Sequence, residues 1–370
     1  MYRIVLLIEI IYNLIISLAL IMYTHKSDFF KVLSKEPTTH IPIYCTGYPD
    51  LEFIDNYVNK YPLKINRNEM ELNLKNYNII EQMGFDGISL WDFRRGEGSY
   101  SLDDQKRVDG WGRIYKGEWY LWDGVFRNEK ILQEWEHLTL PSKEKLMILK
   151  DFLRRASKDL DYAISLPGLF EKTWQSMGFY YFSKCLRKNI EFVKTVISYF
   201  SNYIKKLIEI LQNAGTQIFL VADDIGYRNR TFIPKNIWKE LFFKEYREII
   251  NIIHSRNHKI IIHSDGYISD MIEDFIDLGF DGVQSLESNA GVDIFHLFKK
   301  FKNQICFIGN LDMSLLTFGT LEQVKAYVIK LITSARKFKC SLVVSTSHQI
   351  TAKCKVENIN TMIKTTKIFK

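Results

Sequence analysis

The feature that most constrains the fold is an alternation of short, apolar, β-rich runs with longer stretches of helical periodicity. Eight runs are candidate inner strands: residues 41–45, 87–91, 162–166, 217–222, 259–263, 282–286, 304–308 and 342–346. Strands that alternate with helical segments indicate βαβ units and a parallel sheet. Eight such units in a chain of 370 residues predict the α/β class and a closed (β/α)8 TIM barrel.

The segments between the predicted strands favour one barrel domain over residues 26–370. Residues 237–255 place apolar side chains at helical spacing, and Thr320 followed by Gln323 has the form of a capping box that opens another helix. The first half carries longer insertions. One of them, residues 110–124, alternates like a β-hairpin, and we expect it to fold over the barrel mouth.

The first residues, 1–25, form an apolar extension that the barrel pattern does not need. Residues 4–23 are almost continuously apolar, interrupted by Glu9 and Asn13. The length suits a membrane anchor, although Glu9 would be costly there and no cleavage site follows. The alternative is a non-functional extension upstream of a start at Met22. We expect a helix with few barrel contacts, whose deletion leaves a folded protein.

Charge and cysteine content narrow the class of protein. The net charge of +7 comes from 50 basic and 43 acidic residues, and no run of five or six like charges occurs. Such a thin excess argues against nucleic-acid binding. Five cysteines without a CxxC pattern predict neither a disulfide framework nor a cysteine zinc ribbon. We therefore expect a cytoplasmic protein, or a membrane-anchored one if residues 4–23 are an anchor.

Metal-competent side chains follow three of the predicted strands. His263 ends the fifth strand and Asp265 follows it, while Glu287 comes after the sixth strand and His348 after the eighth. Active sites of α/β barrels lie at the C-terminal ends of their strands. Since residues two apart in a strand point the same way, His263 and Asp265 can reach one ion. The four side chains predict a site for a divalent ion such as zinc. Alternatively, Asp265 only caps a turn and His263 is a hydrogen-bonded wall histidine.

Two adjacent carboxylates, Asp223 and Asp224, follow the fourth predicted strand. Repulsion between paired carboxylates raises the pKa of one of them and prepares it for proton transfer or cation binding. We therefore predict a catalytic role for Asp223 or Asp224, and His348 is a third catalytic candidate. The alternative for the pair is an N-cap of the following helix.

Five further residues at strand ends are candidates for binding a small-molecule substrate. Arg94, Arg95 and Arg228 lie just beyond the second and fourth strands, where guanidinium groups can bind carboxylates or phosphates of an anionic ligand. Solvated surface arginines are the alternative. Asn310 and Asp312 follow the seventh strand and either bind substrate or close the turn.

Several motifs resemble those of one enzyme family. They are HSDG at 263–266, GFDGVQSLE at 279–287, IGNLD at 308–312, FGTLEQV at 318–324, STSHQI at 345–350 and VEN at 356–358. These stretches resemble the uroporphyrinogen decarboxylase family, which includes corrinoid-dependent methyltransferases acting on small thiols such as coenzyme M. The resemblance runs from about residue 26 onward and is most specific in the C-terminal half.

The resemblance implies two zinc frames that can be carried over residue by residue. The methyltransferase branch binds zinc through a His-x-Cys pair after the fifth strand and a Cys after the eighth. Cobalamin-independent methionine synthase, which shares the barrel, has a similar frame. His263 matches the histidine and Glu287 the glutamate, whereas Asp265 and His348 stand where the family has cysteines. Replacing thiolates in this way makes a harder, more Lewis-acidic site.

Three functions follow. The first is a metal-assisted methyltransferase, with a corrinoid supplied by a separate protein that docks on the barrel mouth, because the sequence shows no cobalamin module. The second is a metal-free carboxy-lyase of tetrapyrrole biosynthesis: that branch has a histidine at the position of His348. Its arginine-rich motif after the first strand is missing, however, and the segment reads CTGYPD. The third is a non-catalytic binding barrel, tethered to a membrane if residues 4–23 are an anchor.

Overall fold

The computed structural model describes residues 27–63, 72–91, 98–103, 105–156 and 159–369. The apolar extension at 1–25, with its predicted helix, therefore lies outside the described residues, as do Arg94 and Arg95. Within the described part of the chain, no helix is both long enough and apolar enough to cross a membrane.

Eight parallel strands form a closed barrel, as predicted. They are β1 (Ile43–Cys45), β2 (Gly87–Leu90), β7 (Asp161–Pro167), β8 (Ile218–Ala222), β9 (Lys259–Ser264), β10 (Gly282–Ser285), β11 (Cys306–Leu311) and β12 (Leu342–Thr346). Each strand pairs with the next along the chain, and β12 closes the ring by pairing with β1. The largest shift from the prediction is at β11, because residues 302–304 form a 3-10 turn instead of the strand's start.

The helices surround the barrel. In the described part of the chain they are α1 (Asp28–Leu33), α2 (Leu51–Lys60), α3 (Leu72–Met83), α4 (Glu129–Gln133), α5 (Lys143–Arg155), α6 (Leu169–Met177), α7 (Phe179–Lys188), α8 (Ile190–Asn213), α9 (Lys235–His254), α10 (Ile272–Leu278), α11 (Ile294–Phe301), α12 (Met313–Phe318), α13 (Leu321–Phe338) and α14 (Val356–Ile368). The helix predicted at 237–255 is α9, which begins directly after Pro234. The predicted capping box is present: Thr320 Oγ1 accepts from Gln323 N at 3.3 Å, and Gln323 Oε1 accepts from Thr320 N at 2.9 Å.

One end of the barrel is closed by α1. Its Phe29 ring stacks on Tyr44 of β1 with centroids 5.1 Å apart, and both side chains are fully buried. They join an inner apolar cluster that includes Leu33, Leu220, Ile261, Ile308 and Val343. Since this end is filled with apolar side chains, the opposite end is left for polar chemistry.

A small antiparallel sheet contacts α6 and α7. Its strands are β3 (Ser99–Ser101), β4 (Lys106–Asp109), β5 (Arg113–Lys116) and β6 (Trp119–Gly124). The predicted hairpin is β5 with β6, whereas β3 and β4 were not predicted because they are short and mostly polar. Two backbone-directed bonds attach the hairpin region to α6: Tyr120 Oη donates to Gln175 O at 3.0 Å, and Phe126 N donates to Ser176 O at 3.0 Å.

Candidate active site

Three strand ends bring the predicted metal-competent side chains to the same rim of the barrel. Asp265 is at the centre. Its Oδ1 lies 3.4 Å from His348 Nε2 and 3.6 Å from His263 Nε2. Glu287 approaches from the next strand, where its Oε2 accepts from Gly266 N at 2.9 Å. The four residues that the sequence grouped are therefore neighbours in space, and their role as ligands remains a prediction.

The structure adds Asp224 to this group. Donor atoms of Asp224, His263 and Asp265 lie within 4.8 Å of one another, and so do those of Asp265, Glu287 and His348. Asp224 Oδ1 is 3.9 Å from His263 Nε2 and accepts a hydrogen bond from Asp265 N at 3.0 Å. The acid–imidazole cluster, as we call these five residues, is thus two overlapping triads that share Asp265.

The orientation of His263 is fixed from behind. Its Nδ1 is hydrogen-bonded to Gln284 Oε1, and Gln284 Nε2 donates to Thr46 Oγ1 at 2.9 Å. Because an amide oxygen can only accept, Nδ1 carries a proton, and Nε2 is the ring nitrogen that faces the carboxylates. Metal-binding histidines are held in this way, by a hydrogen bond from the nitrogen that does not touch the metal.

The turn that carries Glu287 is strained. Ser285 and Leu286, the two residues before it, have φ angles of 88° and 53°, a region that non-glycine residues rarely adopt. Asn310 Nδ2 donates to Leu286 O at 2.6 Å, and Asn310 Oδ1 accepts from Tyr327 Oη. Asn310 is 1% exposed, and its amide makes one donated and one accepted bond that hold the turn before Glu287. Its predicted contact with substrate remains a prediction.

The carboxyl groups of the cluster differ in pKa because their surroundings differ. Burial, assisted by Glu171 and Asp265, raises the pKa of Asp224 to about 6. Burial would also raise the pKa of Asp265, but His263 and His348 outweigh it and hold that pKa well below its usual range. The hydrogen bond to Asp265 in turn raises the pKa of His348. One carboxylate therefore stays charged, while Asp224 can exchange a proton close to neutral pH.

Asp223 points away from the cluster. It is fully buried: Oδ1 accepts from Glu171 N at 2.7 Å, and Oδ2 accepts from Phe170 N at 3.0 Å and from the Tyr246 hydroxyl. Burial and the nearby Glu171 raise its pKa to about 7. Asp223 thus holds the first turn of α6, a helix that precedes β8 in the chain, so the alternative of an N-cap for the following helix is wrong: that helix, α9, begins after Pro234. Asp224 is the member of the pair that faces the site.

The two remaining predicted substrate ligands among the described residues, Asp312 and Arg228, have different surroundings. Asp312 caps α12, with Oδ1 accepting from Ser314 N at 2.6 Å, and its Oδ2 accepts from Ser288 Oγ at 3.1 Å. It therefore closes the turn after β11. Arg228 lies on the exposed loop after β8 and lines a cavity at the same rim, with its guanidinium 5.9 Å from the centre of the Tyr227 ring.

This cavity of about 580 Å³ opens beside the acid–imidazole cluster. Asp224, Asp265 and Glu287 line it together with Glu171 and an aromatic wall, consisting of Tyr120, Trp122, Trp174, Tyr227 and Phe232. Neither this wall nor Glu171 was predicted from the sequence. The one available signal was the hairpin expected over the barrel mouth, which supplies Tyr120 and Trp122.

The donor types fit zinc, and the spacing around Asp265 fits part of a tetrahedral site. Bonds of about 2.0–2.2 Å in a tetrahedron place neighbouring donor atoms about 3.3–3.6 Å apart. The distances from Asp265 Oδ1 to the two imidazole nitrogens, 3.4 and 3.6 Å, match that spacing. Imidazole and carboxylate are ordinary zinc ligands, and His263 already has the supporting hydrogen bond that such a ligand needs.

Fold and site together define a TIM-barrel protein with its polar site at the C-terminal rim of the strands. Residues 126–369 match the family described as Uroporphyrinogen decarboxylase (URO-D). That match covers well over half of the chain, and the protein belongs to this family. The resemblance read from the sequence motifs is thereby confirmed. No curated protein matches the chain.

Two solved structures are similar to the chain at low sequence identity, and the first shows the same fold. A methyltransferase from Methanosarcina mazei is 14% identical, with 92% of this chain and 97% of that chain covered and a TM-score of 0.68. A putative vitamin-B12 independent methionine synthase from Listeria monocytogenes is 11% identical, with 90% of this chain and 99% of that chain covered and a TM-score of 0.48.

Proposed function

We propose that this protein is a metal-assisted methyltransferase of the URO-D family. His263, Asp265, Glu287 and His348 would hold a zinc ion, and a separate protein would supply a corrinoid at the barrel mouth. The observation that carries the proposal is the position of two imidazole nitrogens at 3.4 and 3.6 Å from one oxygen of Asp265. A zinc ion in such a site lowers the pKa of a bound acceptor and acts as a template for it.

Three residues outside the proposed ligand set have further roles, one as a proton acceptor and two in positioning the ligands. Asp224 lies next to the proposed ligands, 3.9 Å from His263 Nε2, with its side chain 40% exposed. Its pKa of about 6 leaves it mainly ionised at neutral pH, so it can accept the proton that a bound acceptor loses. Gln284 orients His263, and Asn310 holds the turn that presents Glu287.

The ligand set also bears on the acceptor. Asp265 and His348 replace the thiolates that this branch of the family uses, and carboxylate and imidazole donate less charge to the ion than thiolates do. A more Lewis-acidic ion activates oxygen and nitrogen acceptors as well as thiols. The proposal therefore covers acceptors other than a small thiol.

The second candidate is a metal-free carboxy-lyase. It is favoured by the 3.4 Å contact between His348 and Asp265, which raises the pKa of His348 and so favours the protonated form of the imidazole. A protonated imidazole can donate a proton to the carbanion that forms when a carboxylate leaves. Against it, Arg228 is the only arginine among the described cavity-lining residues, although a porphyrinogen carries many carboxylates.

Zinc analysis of the purified protein separates the two candidates. We expect one zinc per chain after expression in zinc-replete medium, and loss of both zinc and methyl transfer from methylcobalamin in His263→Ala and His348→Ala. His296→Ala, which removes an exposed histidine of α11, is the matched control and should keep both. Retention of zinc and turnover in His348→Ala would refute the metal site. A zinc-free wild type that decarboxylates uroporphyrinogen through His348 would establish the second candidate.

A further inference from the structure

We propose that the small-molecule substrate carries a methylated ammonium group and that the cavity beside the acid–imidazole cluster recognises it. This inference rests on the proposed methyl transfer and names the substrate class for it. The cavity of about 580 Å³ combines two kinds of lining, the aromatic wall and four carboxylates. Each kind favours a cation, for a different physical reason.

The aromatic wall is continuous. Trp122 of the hairpin and Trp174 of α6 stack with ring centroids 5.1 Å apart, and Trp174 stacks on Phe232 at 6.2 Å. Tyr227 extends the wall beyond Phe232, at 5.1 Å. The faces of aromatic rings are electron-rich and attract cations, most strongly when the ring is tryptophan. The wall therefore offers a surface suited to a cation with a large apolar envelope.

The charge of the cavity lining also favours a cation. Glu171, Asp224, Asp265 and Glu287 contribute four carboxylates, against the single guanidinium of Arg228 among the described lining residues. Within the described part of the lining, the carboxylates still outnumber the positive charges when one divalent ion is added. A lining with excess negative charge concentrates cations and repels anions. Among the described lining residues, the charge therefore favours a cation over the anionic ligand that the sequence suggested.

Methylation decides which cation fits. A bare ammonium is strongly hydrated, and moving it against an aromatic wall would cost hydrogen bonds that indole and phenyl faces do not replace. Methyl groups spread the charge over an apolar surface and remove most of those hydrogen bonds. A methylated ammonium can therefore contact Trp122 and Tyr227, which are 53% and 44% exposed, through its methyl groups while Glu171 and its neighbours supply the compensating charge.

Binding of choline, compared with its neutral isostere in which a quaternary carbon replaces the nitrogen, tests the proposal directly. The two probes have nearly the same shape and differ in charge. Calorimetric titration of the wild-type protein at constant ionic strength should give binding of choline at least about tenfold tighter than binding of the isostere. Equal affinity of the two probes would overturn cation recognition.

Two tryptophans of the same hairpin provide a matched pair of variants. Trp122 lines the cavity and is 53% exposed, whereas Trp119 is 81% exposed and lies outside the lining. Trp122→Leu should weaken choline binding about tenfold, and Trp119→Leu should leave it unchanged. Glu171→Gln should weaken choline binding and spare the isostere. An equal loss in both tryptophan variants would show that the wall does not recognise the cation.

The choline-binding experiment needs neither a methyl donor nor a methyl acceptor. Its outcome is therefore independent of the zinc and methyl-transfer measurements that test the proposed function. Zinc binding without choline binding would overturn the inference and leave the methyltransferase standing. Choline binding that is sensitive to Trp122→Leu, in a protein that never binds zinc, would overturn the proposed function while cation recognition survives.

Discussion

Asn310 sets the geometry of the site without belonging to it. Its amide bridges Leu286 O and the Tyr327 hydroxyl, and it holds the backbone at Ser285 and Leu286 in a strained conformation. Glu287 follows directly, and Ser285 Oγ donates to Asp265 Oδ1 at 3.0 Å. Two proposed ligands therefore depend on this one side chain.

Removal of the amide should weaken the metal site and leave the fold intact. We expect Asn310→Ala to reduce zinc affinity by about tenfold, because the turn relaxes and the Glu287 carboxylate is no longer held towards the ion. Asn257→Ala is the control, since Asn257 also has a positive φ, 57°, but is exposed and lies at the end of β9 opposite the site. Competition with a fluorescent zinc chelator measures the affinity, and an unchanged value in Asn310→Ala would refute the positioning role.

His258 should make stability depend on pH. Burial, with Arg256 nearby, lowers its pKa to about 4, and Gln212 Nε2 lies 3.2 Å from His258 Nδ1, where it donates to a neutral ring. The unfolded chain binds a proton below about pH 6.5, whereas the folded chain does not until about pH 4. The contribution of His258 is therefore present above about pH 6.5 and is lost as the pH falls towards 4.

The variant His258→Gln isolates this contribution. Urea unfolding at about pH 7 and about pH 5 should show a smaller loss of stability in the variant than in the wild type. Carboxylates titrate in both proteins, so the difference between the two losses is the quantity that matters. Identical losses would mean that His258 does not titrate with folding.

At the scale of elements, the hairpin depends on a close approach to α6. A Cβ atom at Gly124 would overlap the carbonyl oxygen of Ser176, so no other residue fits there without a backbone shift. The same hairpin carries Tyr120 and Trp122 into the cavity lining. The aromatic wall is therefore complete only when the hairpin is attached to α6.

Gly124→Ala should detach the hairpin from the barrel. We expect a loss of about 1–3 kcal/mol in unfolding free energy, as for other overpacked sites, and faster proteolysis within residues 113–124. The barrel should keep its circular dichroism spectrum, and choline binding should fall with the lost wall. Glu118→Ala, at the exposed hairpin tip, is the control. Equal protease resistance in the two variants would contradict the close approach.

At the scale of the whole molecule, the barrel is a ring closed by its last strand. β12 pairs with β11 on one side and with β1 on the other, so its removal opens two sheet edges at once. The first barrel strand begins only at Ile43, after α1. The two ends of the chain should therefore differ in their tolerance of deletion.

Deletion variants test that difference. A chain that begins at Met22 should stay folded, with unchanged circular dichroism, because β1 and α1 are retained. A chain that ends at Ser341 lacks β12 and α14 and should aggregate. Soluble yield and the thermal transition measure both. Aggregation of the chain that begins at Met22 would show that the apolar extension stabilises the fold.

The sequence by itself determined the barrel and the place of its site. Each inner strand is a local apolar run that ends where polar residues begin. Because the strands of a closed barrel are parallel, the polar residues at their C-terminal ends all lie at one rim. His263, Asp265, Glu287 and His348 could therefore be grouped from their positions along the chain alone. The tips of β9, β10 and β12 do meet.

Only the tertiary structure decided how the other polar residues are used. Successive side chains of extended backbone point to opposite sides, so Asp224 reaches the cluster while Asp223 is buried under α6. Asn310 accepts a hydrogen bond from Tyr327 of α13, a residue that lies later in the chain. The aromatic wall combines side chains from β6, α6 and the loop after β8. Such contacts join segments distant in sequence, and no local pattern of residues encodes them.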